Sequence, residues 1–216
     1  MSRTPTSKSQ IDMKMSFYEQ IGIVIPGSVL MFGLVLYYPE LKLLTNKDSM
    51  SVGELGLFVL IAYAAGHLIA AIANALENLF WAAVGGMPSD WVTHDPPGLL
   101  STEQVENVRT RIETRLSITI AKMAGLDRKM WWPISRQIYA DVATNGKPDR
   151  IDTFNGNYGL NRGLAAACLV LIVVALAHAD WLIAVGLFIG ACIYGYRTYR
   201  FGVHYARELY LQFLVL

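Results

Sequence analysis

The sequence predicts an all-α membrane protein: four transmembrane helices, with a helical cytoplasmic insert between the second and third. Two observations carry this. Apolar residues make up 54% of the 216-residue chain and charged residues only 16%, against roughly 45–50% and about 25% in soluble domains. The apolar residues also gather into four runs, at 21–38, 55–73, 163–179 and 181–196, of 18, 19, 17 and 16 residues, free of formal charge. A membrane helix takes about 20 mainly apolar residues. This profile excludes a disordered chain, a disulfide-stapled secreted domain and an ordinary soluble enzyme.

Taken in order, the first run is too long for the apolar core of a signal peptide, about 7–15 residues, and leads into Tyr37, Tyr38 and Pro39 rather than a cleavage site. It reads as an anchor with an aromatic pair at the interface. The second run contains the ionisable His67. The third and fourth form a hairpin turning near His178, Ala179 and Asp180, and Arg197 and Arg200 extend the short fourth span by snorkelling.

Lys and Arg set the orientation. The N-terminal segment has Arg3, Lys8 and Lys14, the first loop Lys42 and Lys47, the segment between spans two and three nine, and the hairpin turn none. The positive-inside rule then places both termini and the insert in the cytoplasm. The expected organisation is a cytoplasmic segment 1–16, spans one and two within 17–84, an insert 85–157, the hairpin 158–200, and a basic, apolar extension 201–216.

Ser101 opens the first insert helix, with Gln104 completing a capping box. Val105, Val108, Ile112, Leu116 and Met123 share one face, and Gly125 is expected to end it. A second helix is expected from Pro133 to about Thr144. Trp131 and Trp132 suit either an interfacial belt or a small core. The insert carries nine basic and nine acidic residues, so its charge is separated by face rather than by amount.

Candidate functional residues fall into three groups. In the second span His67, Asn74 and Asn78 lie on one helical stripe, with Glu77 offset by about a quarter turn. Polar groups at membrane depth are costly and usually face water or the bundle interior. The stripe is therefore either a pore or substrate lining with His67 as a titratable gate, or interhelical hydrogen-bonding glue. In the insert, Arg111, Arg115 and Lys122 share a face that suits a phosphate-bearing ligand or lipid headgroups. In the tail, Arg197, Arg200, His204 and Arg207 recur at spacings of three and four, as a lipid anchor or as a positive ring at the inner mouth of an oligomer. The apolar stretch that follows, from Leu209, needs a surface to cover it: the insert helices, another subunit or the interface. The approach to the third span, 152–162, reads as a polar interfacial turn in which Arg162 reaches headgroups or pairs with Asp152.

No metalloprotease, hydrolase, phosphate-loop or redox motif is present, so neither enzyme activity nor a cofactor or metal is expected. Cys168 and Cys192 read as packers rather than a disulfide. The net charge of +1 gives no reason to expect duplex nucleic acid as a partner.

This layout, the segment DTFNGNYGLNRG at 152–163 and the tail YRTYRFGVHYARELY at 196–210 resemble small bacterial four-span membrane effectors of antiphage defence, of the Hailong channel-effector type. The resemblance implies a homo-oligomeric, ion-conducting effector that depolarises the cell, controlled by a partner signalling protein or a nucleotide-derived ligand. The alternative is a non-conducting scaffold or accessory subunit that presents its insert to a soluble partner.

Overall fold

The computed structural model describes residues 6–38, 40, 41 and 52–216, with side chains from residue 21 onward. Arg3, Pro39, Lys42, Lys47 and the side chains of Lys8 and Lys14 lie outside these. Described residues form no strand. The helices are α1 (Thr6–Tyr37), α2 (Val52–Ala83), α3 (Thr102–Arg111), α4 (Arg128–Asn145), α5 (Asp149–Ala177) and α6 (Trp181–Val215), with a short 3-10 helix over Pro88–Thr93 and a π turn over Ile112–Leu116. α2, α5 and α6 are long and apolar enough to cross a membrane; the described apolar stretch of α1, Ile21–Tyr37, is shorter.

The chain divides into two compact units: residues 1–79 with 156–198, and residues 80–155 with 199–216. The first is a helix bundle held by small residues. A Cβ on Gly27 of α1 would lie 1.9 Å from the Ala62 carbonyl oxygen of α2, and one on Gly66 would lie 2.1 Å from that of Ile23, so the two backbones touch. In lipid, where apolar surface gains nothing by leaving its solvent, such close approach is what holds helices together. Pro26, inside α1, packs where a Cβ on Gly163 of α5 would be 2.7 Å from its ring. The core around these contacts includes Leu30, Phe58, Ala62, Ile69, Ala73, Ala167 and Leu171.

The turn joining α5 to α6 falls at His178–Asp180, as the sequence predicts. Ala179 takes a left-handed φ of 57°, and the Asp180 amide donates to the Ala175 carbonyl at 2.9 Å. These contacts satisfy carbonyls at the end of α5. Asp180 then accepts from the Ile183 amide through its carboxylate, opening α6. Tyr37 of α1 stacks on His178, with ring centroids 4.9 Å apart, and donates to the Asp180 carboxylate at 3.3 Å.

The second unit has its own core: Val92, Val108, Ile112, Met123, Trp131, Ile138, Val142 and Ile151, closed by Leu209, Tyr210 and Phe213 of α6. The apolar tail is therefore covered by the insert helices. Trp131 and Tyr210 both donate to the Ser89 carbonyl oxygen, at 2.7 and 2.6 Å.

Three expectations are corrected here. The capping box at Ser101 and Gln104 is present, but the helix ends in the π turn before Ser117, which is left-handed at φ 57°, rather than at Gly125. The β-branched Ile118, Thr119 and Ile120 follow that turn outside any helix, and Ile120 and Met123 reach the core without being helical. The second insert helix begins at Arg128, with Pro133 inside it rather than at its start. The approach 152–162 is helical throughout. Its glycines weaken helix propensity. Packing against α1 at Gly163, and the acidic Asp149 and Asp152 in the first turn, outweigh that local cost.

Candidate functional site

Backbone contact at Gly27 and Gly66 fixes which side of α2 faces the bundle. Phe58, Ala62, Ala65, Ile69 and Ala73 are buried on that side. His67 and Ile69 are two residues apart, a rotation of about 200° around the helix. His67, Asn74 and Asn78 consequently lie on the opposite side and are exposed, with Tyr63 edge-on to His67 at 4.6 Å between ring centroids. Among the described residues no side-chain hydrogen bond engages Asn74 or Asn78. Among the described side chains the stripe therefore forms no hydrogen bond from α2 to another helix of its own chain. Leu60, Leu68, Leu76 and Leu79 are exposed around the same helix, as lipid-facing positions would be.

Glu77 belongs elsewhere. Its quarter-turn offset swings it toward α5, where its carboxylate accepts from the Tyr158 hydroxyl and the Arg162 guanidinium. Both side chains of the ion pair are largely buried. Arg162 also lies over the Tyr158 ring, 5.4 Å from its centroid, and its Nε is buried with no hydrogen-bond partner. One turn of α5 thus supplies both partners of Glu77, and the neighbouring Asn161, buried, accepts from Arg197 Nε of α6 at 3.1 Å. The cluster ties α2, α5 and α6 together through polar groups. Arg162 pairs with Glu77, not with Asp152, which instead accepts from Tyr139 at 3.0 Å. The sequence reading missed Tyr158 and Asn161. Their signal is the i, i+4 spacing of Tyr158 and Arg162, legible only once 152–162 is known to be helical.

The proposed basic face of the insert is not one surface. Arg115 makes a two-pronged pair with Asp141, at 2.7 and 3.0 Å, and donates to the main-chain oxygen of Leu216 at 3.2 Å. That guanidinium holds the Asp141 carboxyl below its ordinary range. Lys122 lies beyond the end of α3 and faces Asp95 at 3.9 Å, both exposed. Helical periodicity puts Lys122 on a shared face only if the helix continues, and it stops at the π turn. Arg111 remains on α3 itself. In the tail, Arg197 is engaged by Asn161, while Arg200 and Arg207 are exposed. His204 stacks on Phe154 at 5.5 Å.

A cleft of about 670 Å³ in the second unit is lined by Asp90, His94, Asp95, Asp127 and Arg128, among others. Asp90 is buried, which raises its carboxyl pKa, and the charge of Arg128, 3.2 Å away, opposes the shift. Among the described residues no three His, Cys, Asp or Glu side chains are grouped to hold a metal ion. No protein-family profile, curated protein or solved structure matches the chain.

Proposed function

We propose that the protein is a homo-oligomeric, gated ion channel of the bacterial inner membrane, acting as a membrane effector in antiphage defence. In this reading α1 supplies a fourth span, and the second unit and both termini are cytoplasmic. The observation that carries the proposal is the exposure of His67, Asn74 and Asn78 on the side of α2 turned away from its own bundle. Polar side chains in a span so placed need water or another subunit. A ring of α2 helices from several copies supplies both, with the stripe lining the path. A single bundle of this size has its interior filled by Ala62, Ile69, Ala167 and Leu171, so the path lies between subunits. The Glu77–Arg162 pair then holds α2 against α5 in the closed state, and a signal received by the second unit releases it. The defence role rests on the resemblance of layout, of the 152–163 segment and of the tail.

The test is ion flux from liposomes containing the purified protein. The proposal expects conductance that Asn74→Leu with Asn78→Leu abolishes while the oligomer persists on size-exclusion chromatography. A monomer in mild detergent, or flux indifferent to both substitutions, overturns it.

The independent core of the second unit favours a second reading. A folded module of this kind suits a non-conducting scaffold that presents a surface to a soluble partner. That reading expects a co-purifying protein and no flux.

A further inference from the structure

The start of α4 carries the sequence RKMWWPISR over 128–136, three cations and no acid. Its two tryptophans part company. Trp131 is wholly buried in the core of the second unit, whereas Trp132 is 57% exposed and Met130 62% exposed. Arg136, one turn further on, stands over the Trp132 ring at 6.0 Å from its centroid, and Lys129 is exposed. The result is an aromatic and thioether surface rimmed by cations.

Folding does not account for this arrangement. An exposed Trp and Met contribute nothing to the core behind them. Arg128 in the first turn is held by Asp90, but Lys129 beside it has no carboxylate partner among the described residues, although the helix dipole there favours anions and disfavours cations. Stability alone would choose Asp or Glu there and a polar residue at 132.

We propose that this face is a docking surface for an anionic lipid bilayer, with Met130 and Trp132 entering the interfacial region while Lys129 and Arg136 meet lipid phosphates. Indole rings with one apolar and one hydrogen-bonding side settle at the headgroup level. Basic side chains beside them are drawn by the negative surface potential of anionic lipid. Charge complementarity singles out this occupant: among the described residues Lys129 and Arg136 pair with no carboxylate, whereas Arg128 is taken by Asp90, and Arg115 and Lys122 face Asp141 and Asp95. The unit carrying the patch is continuous in chain with three bilayer-length helices, so lipid is present at high effective concentration. The inference requires a membrane protein but not a conducting one.

The test uses the full chain in nanodiscs of phosphatidylcholine alone or with phosphatidylglycerol added, followed by amide hydrogen exchange. Exchange over 128–136 is expected to slow on the order of tenfold in the anionic discs. Raised salt and the variant Lys129→Glu with Arg136→Glu are expected to remove the slowing, and quenching by headgroup-brominated lipid is expected to fall in Trp132→Phe. Unchanged exchange over 137–145, the rest of α4, confirms that the variant still folds. Equal exchange in neutral and anionic discs, insensitivity to charge reversal, or protection appearing only when a soluble protein is added overturns the proposal.

Discussion

A Cβ placed on Gly66 of α2 would stand 2.1 Å from the carbonyl oxygen of Ile23 in α1. No side chain fits there, and backbone, unlike a flexible side chain, cannot give way. Gly66→Val is therefore expected to force α1 and α2 apart and destabilise the bundle by about 3 kcal/mol, at the upper end of overpacking costs. Gly56→Ala and Gly186→Ala, where a Cβ meets nothing within 4 Å, are the matched controls and should be neutral or slightly stabilising. Thermal loss of monodisperse protein in detergent distinguishes them.

The pairing of Glu77 with Arg162 makes a second expectation. Removing one member of a buried ion pair leaves the other charge uncompensated, a loss of about 3–5 kcal/mol. Arg162→Met alone is expected to be the more harmful, since it strands a carboxylate beside the Tyr158 hydroxyl. Glu77→Gln with Arg162→Met should recover much of the loss. A double-mutant cycle measured by reversible unfolding in detergent would show a coupling well above 1 kcal/mol; additive effects would mean the pair does not form. If the pair is the closed-state latch, Glu77→Gln also raises resting flux.

Two carboxylates of the second unit respond to acid in opposite directions. Asp141 is held below its ordinary range chiefly by its hydrogen bonds from Arg115. Its folded pKa is depressed, so its contribution is present above the unfolded value of about 3.8 and is lost as pH falls through the folded one. Asp90 is raised by burial, so its contribution is present below the unfolded value and is lost as pH rises through the folded one. Asp141→Asn is therefore expected to flatten the acid limb of a stability profile, while Asp90→Asn flattens the part just above pH 4. Profiles of the melting temperature between pH 3 and pH 7 in the two variants test the signs, and like-signed changes would refute them.

Tyr139, raised to about 12 mainly by burial and then by Asp152, makes the alkaline counterpart. Its stabilising effect is whole below the unfolded value of 10.0 and disappears as pH rises toward about 12. Tyr139→Phe is expected to remove one late step from the ultraviolet phenolate titration and to weaken alkaline unfolding of the second unit.

The shared acceptor Ser89 links Trp131 to Tyr210, so the tail is part of the second unit's core rather than an appendage. Tyr210→Phe, which loses one hydrogen bond, is expected to cost about 1 kcal/mol. Trp131→Ala, which opens a cavity in the core, is expected to cost about 3–5 kcal/mol. Removing residues 208–216 should leave the insert without the side chains that close its core. Near-ultraviolet circular dichroism of the truncated chain would then collapse while far-ultraviolet helicity largely remains.

Much of this architecture is local and therefore legible. The apolar runs identify the helices of the bundle because bilayer thickness sets a length that a sequence displays directly. The capping box at Ser101 and Gln104 and the turn at Asp180 are legible because their bonds close within a few residues. What misleads is extrapolated periodicity. Lys122 falls on the face of Arg111 and Arg115 only if α3 reaches that far, and a left-handed Ser117 ends the π turn that follows α3.

By itself, the sequence determined that the chain is helical, that it carries bilayer-length apolar segments, and that a polar stripe of His67, Asn74 and Asn78 runs along one of them. Only the tertiary structure decided which way that stripe faces, because rotation of α2 is set by backbone contact between Gly66 and Ile23, residues 43 positions apart. It also decided that Glu77 leaves the stripe for Arg162, and that Trp131 goes in while Trp132 stays out. Helical spacing fixes the relative angle of two side chains on one helix, but their common orientation is a property of the neighbours they pack against.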